Sequence, residues 1–442
     1  MRSITIQNDA DLEAARKTII AFGDVDDTNS GIHEKIGQTR EIVDAVRLRG
    51  DAAVREFTAR FDGADIAPED FEVRPEAIDA ALKAIDPSLA AILQRAFDNI
   101  RRFHERALRQ GWEETYDDGT VLGQRITPIA SAGVYVPGGK AFYPSSVLMN
   151  IAPAQVAGVH DIIMVSPPSY EGGIHPAVLA AAKIAGATRV FRVGGAQAIA
   201  ALAYGTETIP AVNKITGPGN TFVTAAKSLV RHRVDIDSEA GPSEVAVLAD
   251  ASANPEFVAA EMLAQAEHDE EAKALLITDS PELAQAVAAL LPVRAAALPR
   301  RAIIEKSLEN FGLAIVTRTP EEAIVLTNLF APEHLSIQTE DPRTTATQIT
   351  DAGAMMLGAY TPVAVGDYYA GPNHILPTNR RARFSSPLTA EDFRKVTSVL
   401  HYSEARLQGQ GPDIMQFAGV EELQAHARSI EVRIRPGVAE ES

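Results

Sequence analysis

The sequence has 442 residues and no cysteine, and 59 acidic residues outnumber 41 Lys and Arg to give a formal net charge of −18. This charge disfavours nucleic acids and acidic membrane surfaces as partners, because binding to them draws on clustered Lys and Arg. Without cysteine, the chain cannot form disulfides, cysteine-ligated zinc or iron–sulfur sites, or a thiolate nucleophile. The sequence contains no secretory signal and no run of 18 apolar residues, so we expect a soluble, cytoplasmic protein.

The first part of the chain, from about residue 34 to 110, predicts helices. Apolar residues such as Ile42, Val46 and Val54 recur at three- and four-residue steps between charged residues, which is typical of amphipathic helices. Gly50 separates two of these helices and Gly63 ends the second.

From about residue 130, short β-branched segments alternate with Ala-rich helical patterns. This alternation predicts βαβ units and a parallel sheet covered on both faces. Eight strands are more than one compact Rossmann-like unit needs, so we expect two α/β domains with a seam near 240–243. After about 388 the pattern becomes helical and charged, and the tail 439–442 is acidic. The predicted strands are 133–136, 162–165, 190–193, 214–216, 245–248, 275–278, 313–316 and 354–357, and the helical patterns lie near 148–157, 176–185, 196–203, 221–232, 255–268, 281–291 and 320–329.

Three glycine turns follow predicted strands, at 137–139, 194–195 and 217–219, and the last two open helices. Such turns bring backbone N–H groups close to an anion at a helix N-terminus, and ligands of open parallel sheets bind at strand ends. None matches the G-x-G-x-x-G dinucleotide fingerprint. A tight connection explains each turn taken singly, and three in one region favour a binding role.

Gln265 and His268 end a helix that begins at Asn254 and Pro255, a capping residue followed by proline. Their spacing places both on one face, although a solvated helix end explains them as well. Glu333 and His334 lie between a helix and a strand, where an adjacent acid and imidazole can divide proton transfers between them. A polar loop is the alternative.

Two further segments carry polar groups suited to metals and substrates. The loop 366–374 contains Asp367, a hard oxygen ligand, and His374, a nitrogen donor. Glu421 and His426 lie one helical turn apart near the C-terminus. Taken alone, an exposed helical histidine is usually only a surface residue, so spacing by itself does not identify a ligand.

Taken together, these segments resemble the histidinol dehydrogenase family over about residues 35–435. The resemblance implies an NAD- and zinc-dependent enzyme that oxidises L-histidinol to L-histidine through L-histidinaldehyde, the last step of histidine biosynthesis. The matching motifs are GVYVPGG at 133–139, VGGAQAIAAL at 193–202, GPGN at 217–220, AGPSEV at 240–245, QAEH at 265–268, PEHL at 332–335, GDY at 366–368, GPNHILPT at 371–378 and AHA at 425–427.

The resemblance also implies roles for individual residues. The implied ligands of one Zn²⁺ per subunit are Gln265, His268, Asp367 and His426. The implied acid–base residues are Glu333 and His334, and NAD is implied to bind at Tyr135, Gln197 and Asn220. Substrate contacts are implied for Ser243, Gln265, His268, His334, Asp367, His374, Glu421 and His426.

The family's architecture implies two Rossmann-like, doubly wound α/β domains with small N- and C-terminal helical segments. Residues 1–30 would form an N-terminal segment, 31–133 and 244–388 a discontinuous first domain, 134–243 a second domain on the NAD side, and 389–442 a dimerisation segment. The implied assembly is an intertwined homodimer in which His426 and Glu421 act in the partner's site.

Other functions remain open on the sequence alone. A related zinc-dependent dehydrogenase could act on another small alcohol such as a sulfonated diol, although Glu421 would oppose an anionic substrate. A zinc hydrolase using Glu333 would leave the glycine turns unexplained. A catalytically silent binding protein would not need the Glu333–His334 pair.

Overall fold

A computed structural model describes residues 1–24, 30–139, 141–239 and 241–435, with the side chains of residues 30–33 left out. The predicted acidic tail, and Ala240 in the predicted seam, lie outside the described residues. The chain divides into two compact units. The first comprises residues 1–107 and 129–393, and the second comprises 108–128 and 394–442.

The strands are, in chain order, β1 Arg2–Thr5, β2 Trp112–Thr115, β3 Val121–Pro128, β4 Ser131–Tyr135, β5 Asp161–Val165, β6 Arg189–Phe191, β7 Lys214–Thr216, β8 Asp235–Ile236, β9 Glu244–Ala249, β10 Lys273–Thr278, β11 Gly312–Val316, β12 His334–Gln338, β13 Ala354–Leu357 and β14 Arg394–His401.

The α-helices are α1 Asp9–Gly23, α2 Ser30–Arg49, α3 Asp51–Asp62, α4 Pro75–Ala84, α5 Pro87–Ala107, α6 Pro144–Ala157, α7 Pro176–Ala185, α8 Gly195–Tyr204, α9 Thr221–Val230, α10 Pro255–Ala266, α11 Pro281–Ala295, α12 Arg301–Phe311, α13 Pro320–Phe330, α14 Pro342–Ala346, α15 Val363–Tyr368, α16 Glu404–Val420 and α17 Gln424–Ile434. Short 3₁₀ helices lie at Pro68–Asp70, Arg381–Arg383 and Ala390–Phe393. None of the described helices is both long and apolar enough to cross a membrane.

The first unit contains two parallel sheets, which confirms the predicted α/β class. One has the order β1-β11-β10-β9-β12-β13 and the other the order β6-β5-β4-β7-β8. In the first sheet, β10 and β11 follow β9 on one side and β12 and β13 are then added on its other side. In the second sheet, β5 and β6 follow β4 on one side and β7 and β8 lie on its other side. That reversal produces a crevice at the strand ends, where ligands of doubly wound sheets bind.

Eight of the described strands match the eight predicted ones, because most of them are short, continuous apolar runs that are buried; β13 is the exception, with only Met356 buried. The structure adds β12, whose polar residues Ser336 and Gln338 interrupt the apolar run although every residue of the strand is buried. It also adds β1, whose four residues pair with β11 at the edge of the first sheet.

The second unit is built on an antiparallel sheet of order β14-β3-β2, together with helices α16 and α17, which pack against each other. The expectation that the chain is helical after 388 is therefore wrong for Arg394–His401. Most side chains of this strand are exposed, so it lacks the alternation of apolar and polar residues by which a half-buried strand is predicted.

The helices α2 and α3 belong to the core around the second parallel sheet. Val46, Val54 and Phe57 share a buried cluster with Ile163 and Val165. The predicted domain boundaries, which assign residues 31–133 to the domain of the first sheet, stay a prediction, and this packing groups the two helices differently.

Candidate active site

Glu333 and His334 are buried at the amino end of β12, and both contact the backbone of Glu244, the first residue of β9. The Oε2 atom of Glu333 accepts a hydrogen bond from the Glu244 N–H at 2.7 Å. Nδ1 of His334 donates to the Glu244 carbonyl oxygen at 3.1 Å. Because Nδ1 donates to this carbonyl, Nε2 is the nitrogen through which His334 can gain or lose a proton in the site.

The free nitrogen of His334 faces Asp367. Nε2 lies 3.4 Å from Asp367 Oδ1 and has no hydrogen-bond partner among the described residues. Burial lowers the pKa of His334, but Glu333 and Asp367 raise it, and the net pKa is well above the usual histidine value. Burial raises the pKa of Asp367, but its histidine neighbours lower it below the usual value. Asp367 is therefore a carboxylate in this site.

His374 follows Asp367 along the chain and packs against it. Its Nδ1 donates to the Asp367 carbonyl oxygen at 3.0 Å, and its Nε2 lies 3.4 Å from the Ser146 hydroxyl. Burial lowers the pKa of His374. This imidazole is consequently neutral near pH 7 and can accept a hydrogen bond at Nε2.

Helix α10 presents a polar face toward α15, the helix that carries Asp367. The N-cap at Asn254 forms as predicted, with its side chain accepting the Glu256 N–H at 2.9 Å. Further along, Oε2 of Glu261 accepts the N–H of Val363, the first residue of α15, at 2.9 Å.

Gln265 lies one turn after Glu261 on this helix, whereas His268 lies beyond the helix end at Ala266, so the two are not on one helical face as their spacing predicted. Gln265 is buried and its Nε2 has no partner among the described residues. His268 is exposed, and its charge contributes to lowering the pKa of Asp367. The imidazole of His268 and the carboxylate of Asp367 therefore interact electrostatically, and Gln265 is buried near the end of the neighbouring helix α10.

The other predicted ligand and substrate residue near the C-terminus belong to the second unit. Glu421 caps the C-terminus of α16 and His426 lies on α17, and both are exposed. Across the described residues, no group of three or more His, Asp or Glu side chains is arranged to hold a metal ion. The predicted zinc ligands accordingly stay a prediction.

Tyr135 and Gln197 meet at the carboxyl edge of the second parallel sheet. The hydroxyl of Tyr135, the last residue of β4, accepts the N–H of Gly195 at 3.2 Å, and burial raises its pKa to about 12. Nε2 of Gln197 donates to Asp62 at 3.3 Å, whereas its buried Oε1 has no partner in the described chain. Burial raises the pKa of Asp62 to about 6.

The third glycine turn packs directly against Tyr135. Gly217 has a φ of +113°, and a Cβ there would lie 2.0 Å from the Tyr135 carbonyl oxygen, so only glycine fits. Asn220 caps α9 by accepting the N–H groups of Phe222 and Val223 at 3.0 and 3.1 Å.

A buried ion pair holds this turn. Asp237 accepts the Gly217 N–H at 2.7 Å and pairs with Lys227, which also donates to the Gly217 carbonyl at 2.9 Å. The turn is therefore fixed at both its N–H and its C=O.

Ser243 is partly buried and lies directly before Glu244. Its carbonyl oxygen accepts the N–H of Lys273 at 2.9 Å, which fixes the start of β9. Sequence reasoning missed the supporting residues Glu244, Glu261 and Lys273. The signal that could have found them is a charged residue inside an otherwise apolar buried segment, since such residues are rarely buried without a partner.

Comparison with known proteins identifies the family. The sequence profile described as histidinol dehydrogenase matches residues 27–434. A histidinol dehydrogenase of Halalkalibacterium halodurans is 48% identical over 408 residues, which are 92% of this chain and 96% of that protein. One of Bacillus licheniformis is 51% identical over 407 residues, 92% of this chain and 95% of that protein.

A solved structure extends the likeness to the fold. The crystal structure of histidinol dehydrogenase from Elizabethkingia anophelis is 34% identical, covers 98% of both chains and superposes with a TM-score of 0.91. On these matches, the chain belongs to the histidinol dehydrogenase family.

Proposed function

We propose that this protein oxidises L-histidinol to L-histidine through L-histidinaldehyde, with NAD as the oxidant of both steps. Membership of the family makes it an NAD-dependent oxidoreductase. The single observation that carries the proposal is the buried pair Glu333–His334, held on the Glu244 backbone with His334 Nε2 left without a partner.

The proposal assigns His334 to the alcohol oxidation. Its Nε2 accepts the hydroxyl proton of histidinol, while Nδ1–H stays bonded to the Glu244 carbonyl. When bound, NAD takes up the hydride that leaves the carbinol carbon. Residues Ser243, His374 and Glu421 bind the substrate in this assignment.

Glu333 is assigned to the second oxidation. Because the chain has no cysteine, no thiol can attack the aldehyde carbon. Water adds instead: Glu333 takes one of its protons as the new C–O bond forms, and His334 returns its proton to the aldehyde oxygen as the C=O π bond breaks. The resulting diol gives up a hydroxyl proton to His334 and a hydride to a second NAD as it is oxidised to the carboxylic acid.

The NAD site is proposed at Tyr135, Gln197 and Asn220. The unpartnered Oε1 of Gln197 supports this site, because a buried amide oxygen without a partner is costly unless a ligand completes it. The fixed Gly217 turn beside Tyr135 adds a backbone that a ligand can approach closely.

A zinc site is proposed at Gln265, His268 and Asp367 with His426, one ion per subunit. The ionised Asp367, whose pKa His268 lowers, fits a cation with nitrogen and oxygen ligands, and Gln265 would contribute its amide oxygen. When bound, zinc orients the imidazole and amino groups of histidinol. His426 and Glu421 come from the partner subunit of a homodimer in this proposal, and the enzyme is cytoplasmic.

The test is the rate of NADH formation with L-histidinol, measured before and after a chelator and again after zinc is added back. We expect activity that the chelator removes and zinc restores. A sulfonated diol serves as the competing substrate. A faster rate with that diol, or no NADH with either alcohol, would contradict the proposal.

A further inference from the structure

A buried ion pair includes Glu244, the residue whose backbone contacts Glu333 and His334. Glu244 and Lys273 are the first residues of the neighbouring parallel strands β9 and β10 and lie opposite each other in register. Their side chains are 0% and 7% exposed, and Lys273 Nζ donates to Glu244 Oε1 at 3.0 Å. Burying two charges costs more than such a pair commonly returns in stability, so stability alone explains this pair poorly.

Further hydrogen bonds fix both side chains. Lys273 Nζ also donates to the carbonyl oxygen of Gly23 at 3.2 Å and to Asn379 Oδ1 at 3.4 Å. Glu244 Oε1 accepts the N–H of Asn379 at 3.1 Å. Burial raises the pKa of Glu244 to about 7, although Lys273 opposes the shift. Loss of Lys273 would therefore leave a buried carboxyl without its cation.

The backbone of Glu244 contacts both proton-transfer residues. Its N–H donates to Glu333 Oε2 at 2.7 Å, and its carbonyl oxygen accepts from His334 Nδ1 at 3.1 Å. One residue thus sets the orientation of the carboxylate and the position of the imidazole proton. Its own side chain is held in place by Lys273.

We propose that Glu244 and Lys273 are positioning residues for this active site: their ion pair fixes the backbone of residue 244, which orients Glu333 and His334 together. The inference rests on the proposed function. Because both proton-transfer residues depend on one backbone segment, disturbing the pair should slow alcohol and aldehyde oxidation by the same factor. A loss of Glu333 alone should instead slow mainly the second oxidation.

The test compares Lys273→Met with the double variant Glu244→Gln/Lys273→Met. The single change leaves Glu244 unpaired, whereas the double change removes both charges and keeps an amide oxygen for the Asn379 N–H. A displacement of about 1 Å can cost about 100-fold in rate, so we expect kcat per folded subunit to fall about 10- to 100-fold in the single variant. The double variant should recover to within about fivefold of wild type.

The matched control is Lys214→Met. Lys214 is also a buried strand lysine, 8% exposed, paired with Asp235 at 2.6 Å in the other parallel sheet. We expect its kcat to stay within about twofold of wild type. In Lys273→Met, by contrast, kcat should fall with histidinol and with histidinaldehyde while KM for both stays the same.

Several results would overturn the inference. Unchanged kcat per folded subunit in Lys273→Met, a rise in KM alone, or a double variant as slow as the single one would each show a merely structural role. If Lys273→Met does not fold, Glu244→Gln replaces it, and we expect its kcat to fall about three- to tenfold. An unchanged kcat in Glu244→Gln would also refute the inference. Wild-type enzyme inactive on histidinol would overturn the proposed function as well, whereas an active wild type with unaffected variants overturns this inference alone.

Discussion

Replacing Glu333 by glutamine should separate the two oxidation steps. Glu333 is buried, and one of its oxygens accepts the Glu244 N–H at 2.7 Å. A glutamine amide oxygen can accept the same hydrogen bond in nearly the same volume. The change therefore keeps the local structure and removes only the carboxylate that takes a proton from water.

The expected loss follows from the role of a general base. Such groups contribute about 10²- to 10⁴-fold, which corresponds to about 3–5 kcal/mol of transition-state stabilisation. This loss should fall on oxidation of histidinaldehyde, which needs water. Reduction of histidinaldehyde to histidinol by NADH needs no water and uses His334, so it should stay within about tenfold of wild type.

The assay supplies histidinaldehyde with NAD and, separately, with NADH, and follows absorbance of NADH in both directions. Glu340→Gln is the control, because it makes the same change just beyond the other end of strand β12, at an exposed position. An equal loss in both directions for Glu333→Gln would refute the division of roles between Glu333 and His334.

Three further predictions concern the metal, the cofactor and acid stability. His268→Ala and Asp367→Ala should each lose bound zinc while circular dichroism shows a native fold; full zinc by metal analysis in both would refute the ligand assignment. Lys227→Met should raise KM for NAD about tenfold through the released Gly217 turn, with KM for histidinol unchanged in initial-rate assays; an unchanged KM for NAD would count against the cofactor site. Burial lowers the pKa of His104 to about 4, and a lowered histidine pKa gives stability that is lost as pH falls from about 6.5 to 4. Between these two pH values, the free energy of unfolding measured in urea should therefore fall by about 2–3 kcal/mol less in His104→Leu than in wild type. An equal fall in both proteins would contradict this explanation.

Local patterns made much of the fold predictable. The capping residue Asn254 and the proline that follows it are adjacent in sequence, so they mark the start of α10 without any long-range contact. The apolar runs of β9, β10 and β11 likewise mark buried parallel strands. β14 could not be predicted in this way, because its stability comes from pairing with β3, which is far away in sequence, and not from a buried apolar face.

The sequence pointed to the residues of the candidate active site but not to those that support them. Glu333 and His334 are adjacent in the chain, so their chemistry is visible in the sequence. Their support comes from residue 244, about 90 residues earlier, and from Lys273 on the next strand. No periodicity indicates which lysine lies opposite which glutamate, because strand register is set by packing in the whole sheet.

The position of the pair also departs from the usual rule for parallel sheets. Glu333 and His334 lie at the amino end of β12, whereas Tyr135 and Gly217 lie at the carboxyl edge of the other sheet, as the rule expects. The glycine turns therefore lie where the rule places a ligand, and the NAD site there stays a proposal, whereas only the resemblance to a family suggested a role for the other end.

The most direct test of the four-electron oxidation is the number of NADH molecules formed for each L-histidinol consumed. The purified enzyme would be given limiting histidinol, excess NAD and a carbonyl reagent that traps released aldehyde, and the product would be identified as L-histidine. We expect about two NADH per histidinol and little trapped aldehyde, since Glu333 supplies the water step within the same site. One NADH per histidinol, with histidinaldehyde accumulating as product, would contradict it.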